Sequence, residues 1–402
     1  MGLLSFVISR RRYPSNNFKE ALKMQNCQDS YYTTFSSYLT ILDCHEELAK
    51  RSQWKHSQVK DLEILSLSKD SPLYNDIQAF AVGTSQEAVK DTAENLGLAL
   101  RVDGELYPIR DTAYKTLLDR AKIGGSALPK LSRDILAQTL NACLHLSNSD
   151  ALLLIRDEKV SAVHSGDETD YSVLPIDELL KALKGKLDDR FPGNQFVSGY
   201  SDHSVTSGLW TMPDQKDDLM GTYVKTLEAN GQKTLASKLM PGIRFMTSDT
   251  GVASAKISAM FVGGQYPVAI GGCIAVDHRH KAKVQDFEKS VDLLFAKFSD
   301  NVKKLEKLLD VWLDYPVNAM TRICKKLAMP KKAAIEAIEM YKMAYGGKGA
   351  SAHEVYMAMQ EILFTLKTQN TPESKLLSVE ENLTRALSLD WYDYDRKGEV
   401  EY

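Results

Sequence analysis

Pro241-Gly242-Ile243-Arg244-Phe245-Met246-Thr247-Ser248-Asp249-Thr250-Gly251 is followed closely by Ala255-Lys256-Ile257-Ser258-Ala259-Met260-Phe261-Val262. The second stretch alternates along its length, the pattern of a strand with two unlike faces. The first reads as a strand over Gly242–Met246, ending in a polar run. Gly251 closes that run, where a turn between strands often needs positive φ. Strands this close in sequence pair most easily as antiparallel neighbours. The stretch therefore predicts an antiparallel sheet, not a doubly wound parallel one.

Working outward, Gln195–His203, Val205–Met212 and Pro267–Val276 also read as strands, with Gly263-Gly264-Gln265-Tyr266 as a turn. Upstream, Leu152–Arg156 and Lys159–Val163 flank Asp157-Glu158, a hairpin signal without glycine. Leu98–Val102 and Glu105–Tyr107 flank Asp103-Gly104, a pair suited to a tight turn. Leu62 to Leu67 suggests one more short strand. Helices are expected over Gln86–Leu96, from Asp111 to Ala121, over Asp134–Leu144 and from Pro175 to Lys184. Ser85 or Thr84 and Ser132 serve as N-caps, and Gly97 and Gly124-Gly125 as terminators. The stripe of the third of these helices is Ile135, Leu136, Leu140 and Leu144.

The last third has a helical period. Val284, Phe287, Val291, Leu294, Phe298, Val302, Leu305, Leu309 and Trp312 recur at spacings of three and four. One helix from Lys281 to Asp314 is expected, roughly 50 Å long at 1.5 Å per residue. Such a stripe needs a long partner, in the same chain or in a second copy. Tyr315-Pro316 breaks it, and helices over Val317–Leu327, Lys331–Tyr345, Ala352–Thr368 and Ser378–Ser388 follow. The fold class is α+β, a mostly antiparallel sheet with flanking helices followed by an all-helical C-terminal domain with one long helix. The expected segments are an N-terminal helical or extended arm (1–60), an α+β body (61–278) and the helical domain (279–402). In the arm, Tyr31, Tyr32, Phe35, Tyr38, Leu39, Ile41 and Leu42 recur at helical spacing and are expected to pack onto the body.

At 402 residues the chain is too long for one ordinary core. A hydrophobic share of 44% with 26% charged residues fits a soluble globular protein. A net charge of −3 argues against a whole-protein electrostatic grip on nucleic acid and leaves room for a local basic patch. Cys27, Cys44, Cys143, Cys273 and Cys324 are widely spaced and include no Cys-x-x-Cys, so a zinc ribbon or redox pair is not expected and a reducing cytoplasm fits. At the N-terminus a short apolar run precedes Arg10-Arg11-Arg12, the reverse of the order in a signal peptide, and Phe6 stands where myristoylation wants Ser or Thr. No stretch has the roughly 20 apolar residues a membrane helix needs.

Several residues are candidates for chemistry. His278 and His280 would share one face if their strand continued, but a metal site would still need a third ligand, His203 or His164. No Gly-x-Ser-x-Gly surrounds Ser165, and no Asp is placed to orient a histidine beside it, so a hydrolase is not expected. Neither Gly124-Gly125 nor Gly346-Gly347-Lys348-Gly349 has the ending of a phosphate loop. A basic cluster carries the better signal. Between Pro316 and Gly349, the cations Arg322, Lys325, Lys326, Lys331, Lys332, Lys342 and Lys348 face only Glu336 and Glu339, a net charge of +5. Such a face suits phosphate contact, although a merely solvated helix surface has the same composition.

Two signatures resemble a known family. Ala162-Val163-His164-Ser165 precedes Tyr171-Ser172-Val173-Leu174 and the amphipathic Asp177–Leu183, and the opening stretch with Thr247-Ser248-Asp249-Thr250-Gly251 follows. Together with Tyr107 to Leu144, these resemble the phage/plasmid-like family built on domain of unknown function 932. The likeness spans roughly 107–276, with a weaker echo in the tail from Thr371 to Asp395, and leaves residues 1–100 uncovered. On it, Ser165, Tyr171, Ser248, Asp249 and Gly251 are the motif positions. Thr247 and Asp249 stand where the family has Asn and Glu. The family's Cys with a following Asn-Gly is missing, because Cys273-Ile274-Ala275-Val276 continues as a strand. The resemblance implies a phage, plasmid or conjugative element and no established reaction. The expectation is a non-enzymatic nucleic-acid-associated protein of a mobile genetic element, acting in replication, recombination or counter-defence. It would bind DNA, single- or double-stranded, with no cofactor and no metal, form a homo-oligomer and work away from membranes. The alternative is a structural or protein-binding module that oligomerises through the long helix.

Overall fold

The computed structural model of the chain describes residues 26–263, 267–398 and 400–402. Arg10-Arg11-Arg12, the apolar run before it and most of the Gly263–Tyr266 turn lie outside the described residues. In chain order the first elements are β1 (Tyr32–Phe35), α1 (Tyr38–Lys50), β2 (Ser52–Gln58), β3 (Glu63–Ser66), α2 (Gln86–Glu94), β4 (Leu98–Val102), β5 (Glu105–Pro108), α3 (Ala113–Ala121) and α4 (Arg133–Leu144). Next come β6 (Asp150–Arg156), β7 (Lys159–Ser165), α5 (Ile176–Arg190), β8 (Gln195–Asp202), β9 (Thr206–Thr211), α6 (Lys216–Ala229), α7 (Lys233–Lys238), β10 (Met240–Thr247), β11 (Ala255–Val262), β12 (Val268–Ala269) and β13 (Ile274–Val276). The chain continues with α8 (Val284–Lys307), β14 (Trp312–Leu313), α9 (Pro316–Lys326), α10 (Lys331–Tyr345), β15 (Ala350–Ser351), α11 (Ala352–Met359), α12 (Glu361–Thr368) and α13 (Glu373–Thr384). Helices hold 48% of the described residues and strands 21%, and the sheets pair antiparallel, so the class is α+β.

Contacts divide the chain into two compact units. One is Lys50–Gly166 with Asn26–Tyr31, and the other is Tyr32–Ala49 with the described residues after Gly166. This division does not coincide with the three expected segments. Residues 32–49 supply β1 and α1 to the second unit, and the helices after 278 share a core with its sheet.

The first unit holds two three-stranded sheets, β2-β6-β7 and β3-β4-β5. Leu100, Leu117, Leu136, Leu140, Leu153 and Val163 are among its fully buried core residues. Asp103 (φ 51) and Gly104 (φ 81) make the expected tight turn. The β6–β7 turn does the same with Asp157 (φ 48) and Glu158 (φ 71), neither a glycine. Left-handed backbone at such residues costs roughly 1–3 kcal/mol each. Arg51 holds Asp157 at 2.7 Å, and the Ser85 N–H donates to Glu158 at 2.8 Å. Lys159, next in β7, is completely buried and pairs with Asp29 (2.9 Å) and with Asp91. Arg110 is equally buried and reaches Asp29 and the carbonyls of Asn26 and Gln28. Helix α4 is capped by Ser132 as expected, but Ile135 of its expected stripe is 51% exposed.

In the second unit the strands run β1-β8-β9-β10-β11-β12, with β13 also on β11. Trp210, Ile243, Phe245, Ile257, Ala259 and Phe261 bury one face of the sheet against α5, α6 and α8. The other face turns Arg244 and Lys256 toward α13, where they pair with Glu380 (2.8 Å) and Glu381 (2.8 Å). The expected strand over 267–276 is two short ones, separated by Ile270–Cys273. Helices α6 and α7, unforeseen in the sequence, fill 216–238. The expected helix over 352–368 is two, α11 and α12, and the one expected from Ser378 begins at Glu373.

The long helix is shorter than its stripe. α8 has 24 residues, about 36 Å at 1.5 Å per residue. Its end tightens as Leu308, Leu309 and Asp310 donate to carbonyls three residues back. The His353 N–H then takes the Leu308 carbonyl, and Trp312–Leu313 leaves as a strand that pairs with Ala350–Ser351. Phe287, Val291, Leu294, Phe298 and Leu305 are fully buried inside this one unit, so the stripe finds its partner within the chain. Trp312, expected at its end, is 59% exposed. Among the described residues no helix is long and apolar enough to cross a membrane.

Candidate nucleic-acid interface

All seven expected cations lie on α9, on α10 or in the link between α10 and β15, and the placement of the six on the helices follows from helical spacing. In α9, Ala319, Met320, Ile323 and Cys324 face inward. The helix stops when Ala328 takes φ 51 and the Met329 N–H returns to the Cys324 carbonyl, after which Pro330 leads into α10. In α10 the buried face is Ala333, Ala334, Ala337, Ile338 and Tyr341. Positions one or two off those stripes point outward, so Lys325, Lys326, Lys331, Lys332 and Lys342 are exposed, as is Lys348 in the link. Arg322 is half-buried.

The seven fall into two groups. Arg322 Nη1 donates to the carbonyls of Tyr394 (3.0 Å) and Arg396 (2.8 Å), and Lys325 Nζ donates to the Glu401 carbonyl (2.7 Å). The chain's last residues lie along α9, fixed also by Asn318 on the Arg396 and Gly398 carbonyls and by Asp395 on the N–H groups of Asp314 and Tyr315. Lys326, Lys331, Lys332, Lys342 and Lys348 form no ion pair among the described residues. Lys331 and Lys332 open α10, which has no acidic residue in its first turn. A helix N-terminus carries partial positive charge, so two cations there are unfavourable in isolation and an anion would relieve them.

The motif positions converge only in part. Ser165 ends β7 in the first unit, buried opposite Ala151. Tyr171, Ser248, Asp249 and Gly251 belong to the second. There the Tyr171 hydroxyl donates to the Asp249 carbonyl at 3.0 Å, and its ring stacks on His278 with centroids 5.6 Å apart. Ser248 Oγ accepts the N–H groups of Thr250 and Val252, and Gly251 has φ 77, so this motif shapes the turn. Burial lowers the His278 pKa, while its Nδ1 lies 3.2 Å from the Ser172 carbonyl. The strand ends at Val276 and His280 has φ 59, so His278 and His280 do not share a strand face. No three His, Cys, Asp or Glu side chains among the described residues are grouped to hold a metal ion.

A small pocket lies between the sheet and α13, lined in part by Arg244, Lys256, Cys273, Glu380 and Glu381. Its cations are already neutralised by its carboxylates, and burial pushes the Cys273 thiol up to about 11. It is therefore ill suited to an anion, in contrast to the lysines of α10. Sequence reading missed the exposed aromatics at the far end of that helix. Tyr345 is 60% exposed, and Trp312, whose spacing places it in the buried stripe, is exposed as well. The break Tyr315-Pro316 soon after Trp312 was the available signal. In comparisons with known proteins, no family model, no curated protein and no solved structure matches this chain.

Proposed function

We propose that this protein is a non-enzymatic nucleic-acid-associated protein that holds phosphates on Lys326, Lys331, Lys332, Lys342 and Lys348. The observation that carries the reading is that five exposed lysines gather on α9, α10 and the following link without an ion-pair partner among the described residues. Two of them sit at a positive helix end. The resemblance to the family built on domain of unknown function 932 extends the proposal to a mobile genetic element, acting in the cytoplasm in replication, recombination or counter-defence. DNA is the expected polymer. The alternative, a self-associating scaffold, loses its first support because the α8 stripe is consumed inside the unit. Its remaining support is the exposed Trp312, Met343 and Tyr345.

Electrophoretic mobility shift of DNA at low and moderate salt tests the reading. Replacing Lys326, Lys331 and Lys332 together by Ala should weaken binding similarly across sequences. It should also lower the slope of log affinity against log salt by up to about two to three, through lost counterion release. No binding by the parent at low salt would return the scaffold reading to the front.

A further inference from the structure

We infer that Trp312, Tyr345 and the loop Gly346-Gly347-Lys348-Gly349 form a base-stacking platform, so that the protein prefers single-stranded nucleic acid to duplex. The inference rests on the phosphate-binding reading and adds to it the form of nucleic acid bound.

Both rings are held in place without being covered. Trp312 is fixed by backbone pairing to Ser351, and its indole is seated against Gly349. A β carbon at position 349 would lie 2.8–2.9 Å from three indole atoms, so glycine is what lets the ring sit there. Trp312 is nonetheless 59% exposed, whereas Trp210 and Trp391 are buried. Tyr345 ends α10 with its ring 5.0 Å from that of Tyr341, a buried neighbour that supports it, and is 60% exposed. Along the chain, four steps separate Tyr345 from Gly349, a span of at most about 14 Å even when fully extended. The two rings are thus within reach of one short stretch of strand.

Cations flank the rings. Lys342 stands one turn before Tyr345, and Lys348 adjoins Gly349. A protein partner is the competing occupant, since exposed aromatics also mark protein interfaces. Lysine, however, is depleted at the centres of such interfaces, and phosphate between stacked bases complements it. In a duplex the base faces are covered by their neighbours, so only the lysines can act. In a single strand both lysines and rings can act.

The test compares a mixed-sequence oligonucleotide of about twenty nucleotides with its blunt duplex, at low salt, on the full chain. The parent should bind the single strand more tightly. Trp312→Ala should weaken single-strand binding about tenfold or more, leaving duplex affinity and the salt slope nearly unchanged. Trp312→Phe should recover most of the loss. The single strand should quench tryptophan emission in the parent and much less in Trp312→Phe. If Trp312→Ala does not fold, the parent's quenching decides, and unquenched emission at saturating oligonucleotide overturns the inference. Equal affinity for both forms, with a salt slope that still depends on the lysines, would overturn the platform and leave phosphate binding standing. No binding of either form would overturn both, and a stable self-associated parent whose Trp312→Ala variant is monomeric would assign the aromatics to a protein contact.

Discussion

Lys159 and Lys331 are the same residue type in opposite circumstances. Lys159 is completely buried in the first unit, gripped by Asp29 and Asp91 and accompanied by the buried Arg110. Lys331 stands exposed at the start of a helix in the second unit, with no carboxylate in the first turn. Burial forces a charge to find partners, because the desolvation cost is otherwise several kcal/mol per ion. Exposure leaves a charge available to a ligand. Lysine count therefore indicates function only after the enclosed cations are subtracted, and the same subtraction removes Arg244 and Lys256, which are matched to Glu380 and Glu381.

The largest expected effect lies at the buried end of this contrast. Lys159→Ala should cost about 3–5 kcal/mol, because it removes the buried cation shared by Asp29 and Asp91 and leaves Asp29 with only the longer contact to Arg110, whereas Lys331→Ala should stay within about 0.5 kcal/mol. Urea unfolding measures both, and equal costs would break the comparison. A second test uses pH. His353 accepts or donates a 2.7 Å hydrogen bond with the Tyr223 hydroxyl, and burial pulls its pKa from 6.5 down to about 4. The folded state then holds the ring neutral while the unfolded state takes up a proton. Stability should be full above pH 6.5 and fall as pH drops toward 4, by up to about 3 kcal/mol. His353→Gln should flatten the profile between pH 6.5 and about 5, and an unchanged slope there would count against the assignment.

Smaller effects sharpen the contrast. Gly251→Val places a β-branched residue at φ 77 and should cost roughly 1–3 kcal/mol in thermal or chemical unfolding. The smallest expected change has the opposite sign. Lys331→Glu with Lys332→Glu should stabilise α10 by about 0.3–1 kcal/mol per charge through the helix dipole, while nucleic-acid binding falls. A double variant that loses stability would show these lysines to be structural.

The elements most legible in the sequence were those whose local chemistry was complete. The alternation of Ala255–Val262, the Asp103-Gly104 turn and the Ser132 cap each carry their instruction within a few residues, and each appears in the fold. The end of α8 was not legible. Leu309 and Trp312 keep the helical period, and periodicity does not register the tightening of the last turn or the pull of Ala350–Ser351 on the departing strand. α6 escaped notice because its buried face is only Met220, Tyr223 and Leu227 among polar neighbours. At the candidate interface the lysines were readable from composition. The capture of Arg322 and Lys325 was not, since the acceptors are backbone carbonyls, which any sequence could present.

The placement of β1 has a consequence for synthesis. Tyr32 pairs with Asp202, so the sheet's first strand leaves the ribosome about 170 residues before its neighbour. At roughly 5–20 residues per second, that is a wait on the order of ten to thirty seconds. Residues 50–166, which supply most of the first unit, are made during the interval. Because β1 is an edge strand, the remaining strands can pair with one another without it.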